Sequence, residues 1–282
     1  MAFGRRENLE LKTPEHIRLM RGAGLVVADA LAAVAEAATV GATTGDLDRL
    51  AGEVIRGHGA RPSFPEVPGY RHTLCVSVNE EVVHGIPGER RLVAGDLVSI
   101  DCGAILEGWH GDAAISVFVG GEEAARAEDV ALSEATRESL WAGIAAFRPG
   151  NELNDVGAAI EDAVEAAGRE RGGEYGIVDG YTGHGIGREM HMSPDVYNYR
   201  VRGRTPRVRP GATVAIEPMV TLGSPRTRVL DDEWTVVTED GSRACHWEHT
   251  VALTEAGIWV LTAVDGGARE LAARGAPYGP LD

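Results

Sequence analysis

The sequence predicts an α+β fold made of two similar halves, each running helix, helix, strands. Three observations predict it. Two amphipathic helix pairs are each followed by short runs of β-type residues. The segment Val93-Ala94-Gly95-Asp96-Leu97-Val98-Ser99-Ile100-Asp101 parallels Arg209-Pro210-Gly211-Ala212-Thr213-Val214-Ala215-Ile216-Glu217. His84-Gly85-Ile86 likewise echoes His184-Gly185-Ile186. In both long matches the apolar strand ends on a carboxylate, which a chance match of Gly and Val does not require. Two pseudo-symmetric halves facing each other would share a central antiparallel sheet and bring their acids to one cleft.

Each element has its own signal. Thr13-Pro14-Glu15 is a helix start, with a capping hydroxyl, Pro at the first helical position and an acid in the first turn. Ile17, Leu19, Met20, Leu25, Val26, Leu31 and Val34 carry that helix to about Ala38. After the turn at Gly41–Gly45, Leu47, Leu50, Val54 and Ile55 mark a second helix ending near Gly57. Strand-like runs follow at Thr73–Asn79, Asp96–Ala104 and Ala113–Val119, the last two joined at Glu107-Gly108 as a hairpin. The second half repeats the order: a long helix over Glu122–Phe147, another over Leu153–Ala167, then strands at Ala212–Val220, Glu233–Thr238 and Ala244–Leu253. Residues 1–12 read as an N-terminal tail, 13–265 as a single domain and 266–282 as a C-terminal tail.

Composition narrows the function classes. A net charge of −16 argues against a nucleic-acid binder, which needs a basic surplus, and no nucleic-acid-binding motif is present. Cys75, Cys102 and Cys245 are widely spaced and form no metal-finger pattern, which fits a reducing, cytoplasmic compartment. The N-terminus turns charged at Arg5-Arg6-Glu7 without an apolar signal segment, and no apolar run approaches the ~18 residues of a membrane span.

Five acceptor side chains carry the chemistry: Asp101, Asp112, His184, Glu217 and Glu248. Asp101 and Asp112 flank one hairpin beside Gly103 and Gly111, and strand alternation aims both at one face. A single Asp after a strand is usually a turn former; two on one hairpin are harder to explain so. His184 lies in Gly183-His184-Gly185-Ile186-Gly187, where the glycines permit close backbone approach. No Gly-Lys-Ser/Thr follows it, which discounts a nucleotide loop. Glu217 and Glu248 each sit in an apolar strand, costly for a carboxylate unless it is paired or metal-bound. Four buried acids would repel one another; two divalent cations between them neutralise the charge. The chain therefore reads as a dinuclear metal hydrolase.

Val78–Pro87, Ile100-Asp101, Trp109-His110-Gly111-Asp112, Thr182–Gly187, Ile216-Glu217-Pro218-Met219 and Trp247-Glu248-His249-Thr250 together resemble the type I methionine aminopeptidases. The resemblance runs from about Thr13 to Leu261 and implies the pita-bread fold of the wider metallopeptidase family, in its short bacterial form. It implies that Asp101 chelates one metal and His184 and Glu217 the other, while Asp112 and Glu248 bridge both. The metals, Fe, Mn, Co or Zn, would hold a bridging hydroxide that attacks the peptide carbonyl. Glu217 would also shuttle the proton. His84 and His191 match the family's substrate-contacting, catalytic histidines, which are not ligands. Tyr70, Cys75, Trp234, Phe64 and Met190 fall at positions lining the methionine pocket, and His110 stands beside a ligand as a supporting group.

The segment Phe64-Pro65-Glu66-Val67-Pro68-Gly69-Tyr70 departs from the family in lacking a second tyrosine. The loop Ser224–Glu233 balances Arg226 and Arg228 with Asp231, Asp232 and Glu233, so it supplies no basic ribosome-docking surface. The activity implied is removal of the initiator methionine from peptides and nascent chains with a small second residue, by a cytoplasmic monomer in transient ribosome association. The alternatives on these residues are a proline-directed peptidase of the same fold and an inactive, protein-binding homologue.

Overall fold

Thr13 starts the first helix: its hydroxyl accepts the His16 N–H at 3.3 Å, and Pro14 stands where no N–H partner is needed. The computed structural model describes residues 9–281. Helix α1 (Pro14–Ala37) buries Ile17, Met20, Val27, Ala30 and Val34 along one face. Helix α2 (Thr44–Gly57) opens with a capping box, Thr43 and Asp46 satisfying each other's backbone N–H, and buries Leu47, Ala51 and Ile55.

The strands of the first half are β1 (Arg61–Pro62), β2 (Leu74–Val78), β3 (Glu81–Val83), β4 (Leu97–Leu106) and β5 (Trp109–Phe118). Strand β4 pairs with β1 and β2 and also forms the antiparallel hairpin with β5, in register from Leu97↔Phe118 to Leu106↔Trp109. Glu107 and Gly108, at φ 51° and 79°, make the tight two-residue turn that the twist of a hairpin favours. Alternation then divides the hairpin. Val98, Ile100, Cys102 and Ala113 enter the core under α1 and α2 with Leu47, Ile55 and Val76. Ser99, Asp101, Asp112 and Ser116 take the opposite face.

The second half comprises α3 (Ala127–Ala146), α4 (Leu153–Arg171), β6 (Gly176–Ile177), β7 (Gly183–Gly185), β8 (Met192–Val196), β9 (Thr213–Ile216), β10 (Met219–Thr221), β11 (Thr227–Val229), β12 (Val236–Thr238), β13 (Ala244–His246), β14 (His249–Leu253), β15 (Ile258–Val260) and α5 (Ala268–Ala273). Five strands are ordered β15-β14-β9-β7-β8; β13-β10-β6 and β11-β12-β3 form two smaller sheets. Leu140, Ile144, Val156 and Ile160 of the helices pack on Val214, Ile216 and Val251 in a second core.

The halves meet backbone to backbone. Ala114 and Glu248 exchange hydrogen bonds, Ala114 N–H to Glu248 O at 3.3 Å and Glu248 N–H to Ala114 O at 3.0 Å. The Thr250 hydroxyl accepts the Asp112 N–H at 3.0 Å and donates to the Asp112 carbonyl at 2.7 Å. This seam lies along the acid-bearing face of the hairpin. On the other face α1 lies so close that a Cβ on Gly111 would come within 2.7–2.9 Å of the backbone of Ala23 and Gly24.

Several boundaries differ from the sequence reading. The long helix over Glu122–Phe147 is a 3-10 turn at Glu122–Ala124 and then α3, because Arg126 is extended and its guanidinium pairs with Asp129 at 2.6–2.8 Å. The strands read as Ala212–Val220 and Ala244–Leu253 are each two strands, interrupted at Glu217-Pro218 and Trp247-Glu248; Pro218 has no N–H to continue a ladder. The tails are partly built in. Residues 1–8 lie outside the described residues, but Leu11 pairs with Ala212 and Lys12 is buried. At the other end α5 buries Leu271, and Tyr278 pairs with Ile258.

Candidate metal centre

The two interrupted strands position two of the acids. Strand β9 pairs with β14 up to Ile216↔His249, and β10 pairs with β13 from Met219↔His246. Between these registers Glu217-Pro218 faces Trp247-Glu248, so two carboxylates emerge where the chain leaves one sheet for another. Asn198 Nδ2 donates to the Glu217 carbonyl at 3.1 Å and holds that break in place. On the hairpin, Asp101 opposes Ala114 and Asp112 opposes Gly103, placing the two Asp diagonally on one face.

His184 sits in the middle of β7, paired to Ala215 of β9 and Asp195 of β8. A Cβ on Gly183 would meet Ala215 O at 2.4 Å, so this flanking position needs glycine for the close approach. His184 Nδ1–H donates to the Gly185 carbonyl at 3.0 Å, which leaves the Nε2 lone pair facing the acids. That Nε2 lies 3.4 Å from Glu217 Oε1 and 3.9 Å from Asp112 Oδ2. Asp112, His184 and Glu248 can offer ligand atoms that all lie within 4.8 Å of one another, and all three are buried.

The electrostatics call for a cation. Burial pushes the imidazole pKa of His184 down to about 3, so it is neutral and its lone pair confronts carboxylate oxygens. Burial raises Asp101 to about 7, and raises Asp112, Glu217 and Glu248 well above the usual carboxylate range. Charge repulsion adds to burial: Asp101 and Glu217 act on Asp112, Asp101 acts on Glu217, and Asp112, Glu217 and Asp101 act on Glu248. Asp101 Oδ1, Asp112 Oδ1 and Glu248 Oε1 are buried with no hydrogen-bond donor. Orphaned carboxylate oxygens beside a neutral imidazole lone pair are an acceptor-only set, and such a set fits divalent metal ions.

The chain matches the model of metallopeptidase family M24 over residues 18–255. The chain belongs to that family. Among its M24 relatives, methionine aminopeptidase 1 of Mycobacterium tuberculosis is 56% identical over 244 residues, covering 86% of this chain and 91% of the relative. The crystal structure of methionine aminopeptidase from Thermotoga maritima matches with a TM-score of 0.84 and 41% identity, covering 90% of this chain and 99% of that one. Prolidase from Pyrococcus furiosus shares the fold at a TM-score of 0.71 and 21% identity, this chain spanning 65% of its length. The two-halved architecture is the pita-bread fold of these M24 proteins.

Beside the M24 acid cluster lies an apolar cluster. Phe64, Tyr70, Cys75 and Met190 are buried together, with Val67, Ile86 and Trp234 packed against them. Tyr70 meets Trp234 edge-on at 4.9 Å and Phe64 at 6.2 Å, and its hydroxyl donates to Leu74 O at 2.7 Å. Cys75 of β2 is the cross-strand partner of Asp101, so this cluster and the acids share a strand pair. Val67, from the segment that lacks the second tyrosine, adds an aliphatic side chain to the edge of this cluster.

His191 stands beside His184, and His84 among aromatic side chains. The ring of His191 meets that of His184 at 4.5 Å, and the ring of His84 meets Tyr181 at 5.7 Å and Trp234 at 6.5 Å. His84 has φ 59°, in the left-handed region, and Gly85 beside it approaches Val76 so closely that a Cβ would lie 2.4 Å from the carbonyl oxygen. Burial, and then the neighbouring His191, lowers His84 to about 4. His110 shares its strand face with Asp112, and its Nδ1 bonds Ser63 Oγ at 3.0 Å, anchoring the segment that carries Phe64.

The sequence reading missed His246. It ends β13 and is buried, its backbone bonded to Ser99 and Ser116 of the hairpin and its Nε2 3.8 Å from Glu217 Oε2. The signal available was a histidine in an apolar strand two residues before Glu248, without the flanking glycines that mark His84 and His184.

Proposed function

We propose that this chain is a methionyl aminopeptidase, removing the initiator methionine from peptides and nascent proteins with a small second residue by metal-dependent hydrolysis. One observation carries the reading: a buried acceptor-only cluster adjoins an apolar cluster of aromatic and sulfur-bearing side chains. Asp101 would hold one cation, His184 and Glu217 a second, with Asp112 and Glu248 shared between them. Iron, manganese, cobalt and zinc all suit carboxylate and imidazole donors. Bound there, the cations would supply Lewis-acid polarisation of the scissile carbonyl and water acidified towards neutral pH.

The chain's own groups supply the rest. Glu217 takes a proton from the attacking water and returns it to the leaving amine. His191 donates to the developing oxyanion, and His84 contacts the amide of the second residue. Phe64, Tyr70, Cys75, Met190 and Trp234 receive the unbranched thioether, which is polarisable and favours aromatic edges. We assign residues 13–265 as the catalytic domain and read the protein as a cytoplasmic monomer meeting nascent N-termini in transient association with the ribosome. Among the described residues no helix is long and apolar enough to cross a membrane.

The test is mass spectrometry of Met-Ala-Ser peptides incubated with the purified chain and Fe²⁺, Mn²⁺, Co²⁺ or Zn²⁺ in turn. Release of free methionine with at least one metal is expected. No release with any of them would overturn the proposal.

A further inference from the structure

The Glu217 carboxylate lies between two imidazoles that present opposite faces to it. Oε1 faces His184 Nε2 at 3.4 Å, and Oε2 faces His246 Nε2 at 3.8 Å. The first nitrogen offers a lone pair, because the other nitrogen of that ring is committed to the Gly185 carbonyl. The second is a buried ring nitrogen with no hydrogen-bond partner, and Glu217 is the one carboxylate within 4.0 Å of it among the described residues. With Glu217 ionised, as a cation ligand must be, the carboxylate can only accept, and the orphan is satisfied when Nε2 carries the proton and donates.

The ring is held for that task from the other half of the molecule. The His246 backbone N–H donates to Ser99 Oγ at 3.1 Å, and the His246 carbonyl accepts Ser116 Oγ at 2.8 Å. The two serines bond each other at 2.7 Å on the acid-bearing face of the hairpin. The Glu217 backbone is pinned separately through Asn198. The terminal carboxylate torsion of a glutamate is broad, so the 3.8 Å separation lies within reach of a hydrogen bond by side-chain adjustment.

We infer that His246 is a positioning residue for Glu217: its Nε2–H donates to Oε2, fixing the carboxylate so that Oε1 stays on the His184 side while Oε2 is oriented for proton transfer. His246 touches neither the cations nor the substrate in this assignment. The inference deepens the aminopeptidase reading and rests on it for its kinetic consequence.

A hydrogen bond to a charged group is strong enough that its loss from the proton carrier should slow turnover by roughly 10- to 100-fold. His246→Ala in the full chain should show that fall in kcat, with KM for a Met-Ala-Ser peptide and bound metal per chain unchanged. His246→Gln, whose amide N–H reaches towards the same oxygen, should recover to within a few-fold of the parent. An unchanged kcat in His246→Ala, metal loss in that variant, or a Gln variant as slow as the Ala variant would each overturn the assignment. Nitrogen-15 histidine NMR of the parent loaded with diamagnetic Zn²⁺, which keeps Glu217 ionised, tests the hydrogen bond directly. His246 should be the Nε2–H form with a slowly exchanging proton, and Glu217→Ala should speed that exchange. An Nδ1–H form refutes the proposal even where a variant fails to fold. If the parent releases no methionine, the aminopeptidase reading fails instead, and the NMR result still decides the contact.

Discussion

Replacing Asp101 by Asn should stabilise the metal-free protein, and by an amount that grows with pH. Burial raises the Asp101 carboxyl from 3.8 to about 7 in the folded chain. Between those values the folded state holds a proton that the unfolded state has released. Stability contributed by this group is therefore complete below about pH 4 and is lost as pH rises through about 7. A gap of about three pKa units, at 1.36 kcal/mol each, corresponds to about 4 kcal/mol. Removing this charge also relieves Asp112, Glu217 and Glu248, so the measured difference belongs to the cluster. Histidines with lowered pKa, such as His84 and His110 at about 4, act in the opposite sense, adding stability as pH rises to about 6.5. They are common to parent and variant and cancel in the comparison.

The assay is urea unfolding of parent and Asp101→Asn in chelator, at intervals from pH 4 to pH 8. The parent should lose about 4 kcal/mol relative to the variant across that range. Adding Mn²⁺ or Co²⁺ at pH 7.5 should reverse the order, because an ion bound only by the folded state stabilises it in proportion to its affinity. A difference between parent and variant that stays flat with pH, or widens in the parent's favour without metal, would refute the reasoning.

Three further outcomes are expected. Asp112→Asn should lose bound metal and methionine release together, whereas His191→Ala should keep its metal and lose rate by about 10²-fold or more, as removal of an oxyanion donor does; elemental analysis beside kinetics separates them. Gly111→Ala forces a methyl into the backbone of α1 at 2.7–2.9 Å and should cost at least the ~1–3 kcal/mol of an overpacked core, read as a fall in the urea midpoint. Trp234→Ala opens the apolar cluster around Tyr70 and should raise KM for Met-Ala-Ser peptides about tenfold or more, while X-Pro peptides should remain uncut by the parent.

Much of the fold was legible because its signals are local. Thr13-Pro14 and the Thr43–Asp46 box start helices wherever they occur, and Glu107-Gly108 turns a hairpin. The breaks at Glu217-Pro218 and Trp247-Glu248 were not legible, since an apolar run leaving one sheet for another looks like one long strand. The 3-10 turn at Glu122–Ala124 was missed for a similar reason: Ala- and Glu-rich sequence suits a helix, and the extended Ala125 and Arg126 interrupt it. The packing of α5 depends on Leu271 finding a core made by distant residues.

From sequence alone came the acceptor types and their local frames: two Asp on one hairpin, His184 between glycines, and two Glu in apolar strands. Those are properties of neighbours along the chain, and alternation and glycine geometry read them directly. The tertiary structure decided how the halves register. Ala114 bonds Glu248, Thr250 clasps Asp112, and two serines of the first half seat His246 of the second. These contacts join residues more than a hundred positions apart, and nothing local encodes which will face which. His246 shows the same at shorter range: an ordinary buried histidine by sequence, it comes within 3.8 Å of Glu217 only because β10 pairs with β13 in the register Met219↔His246.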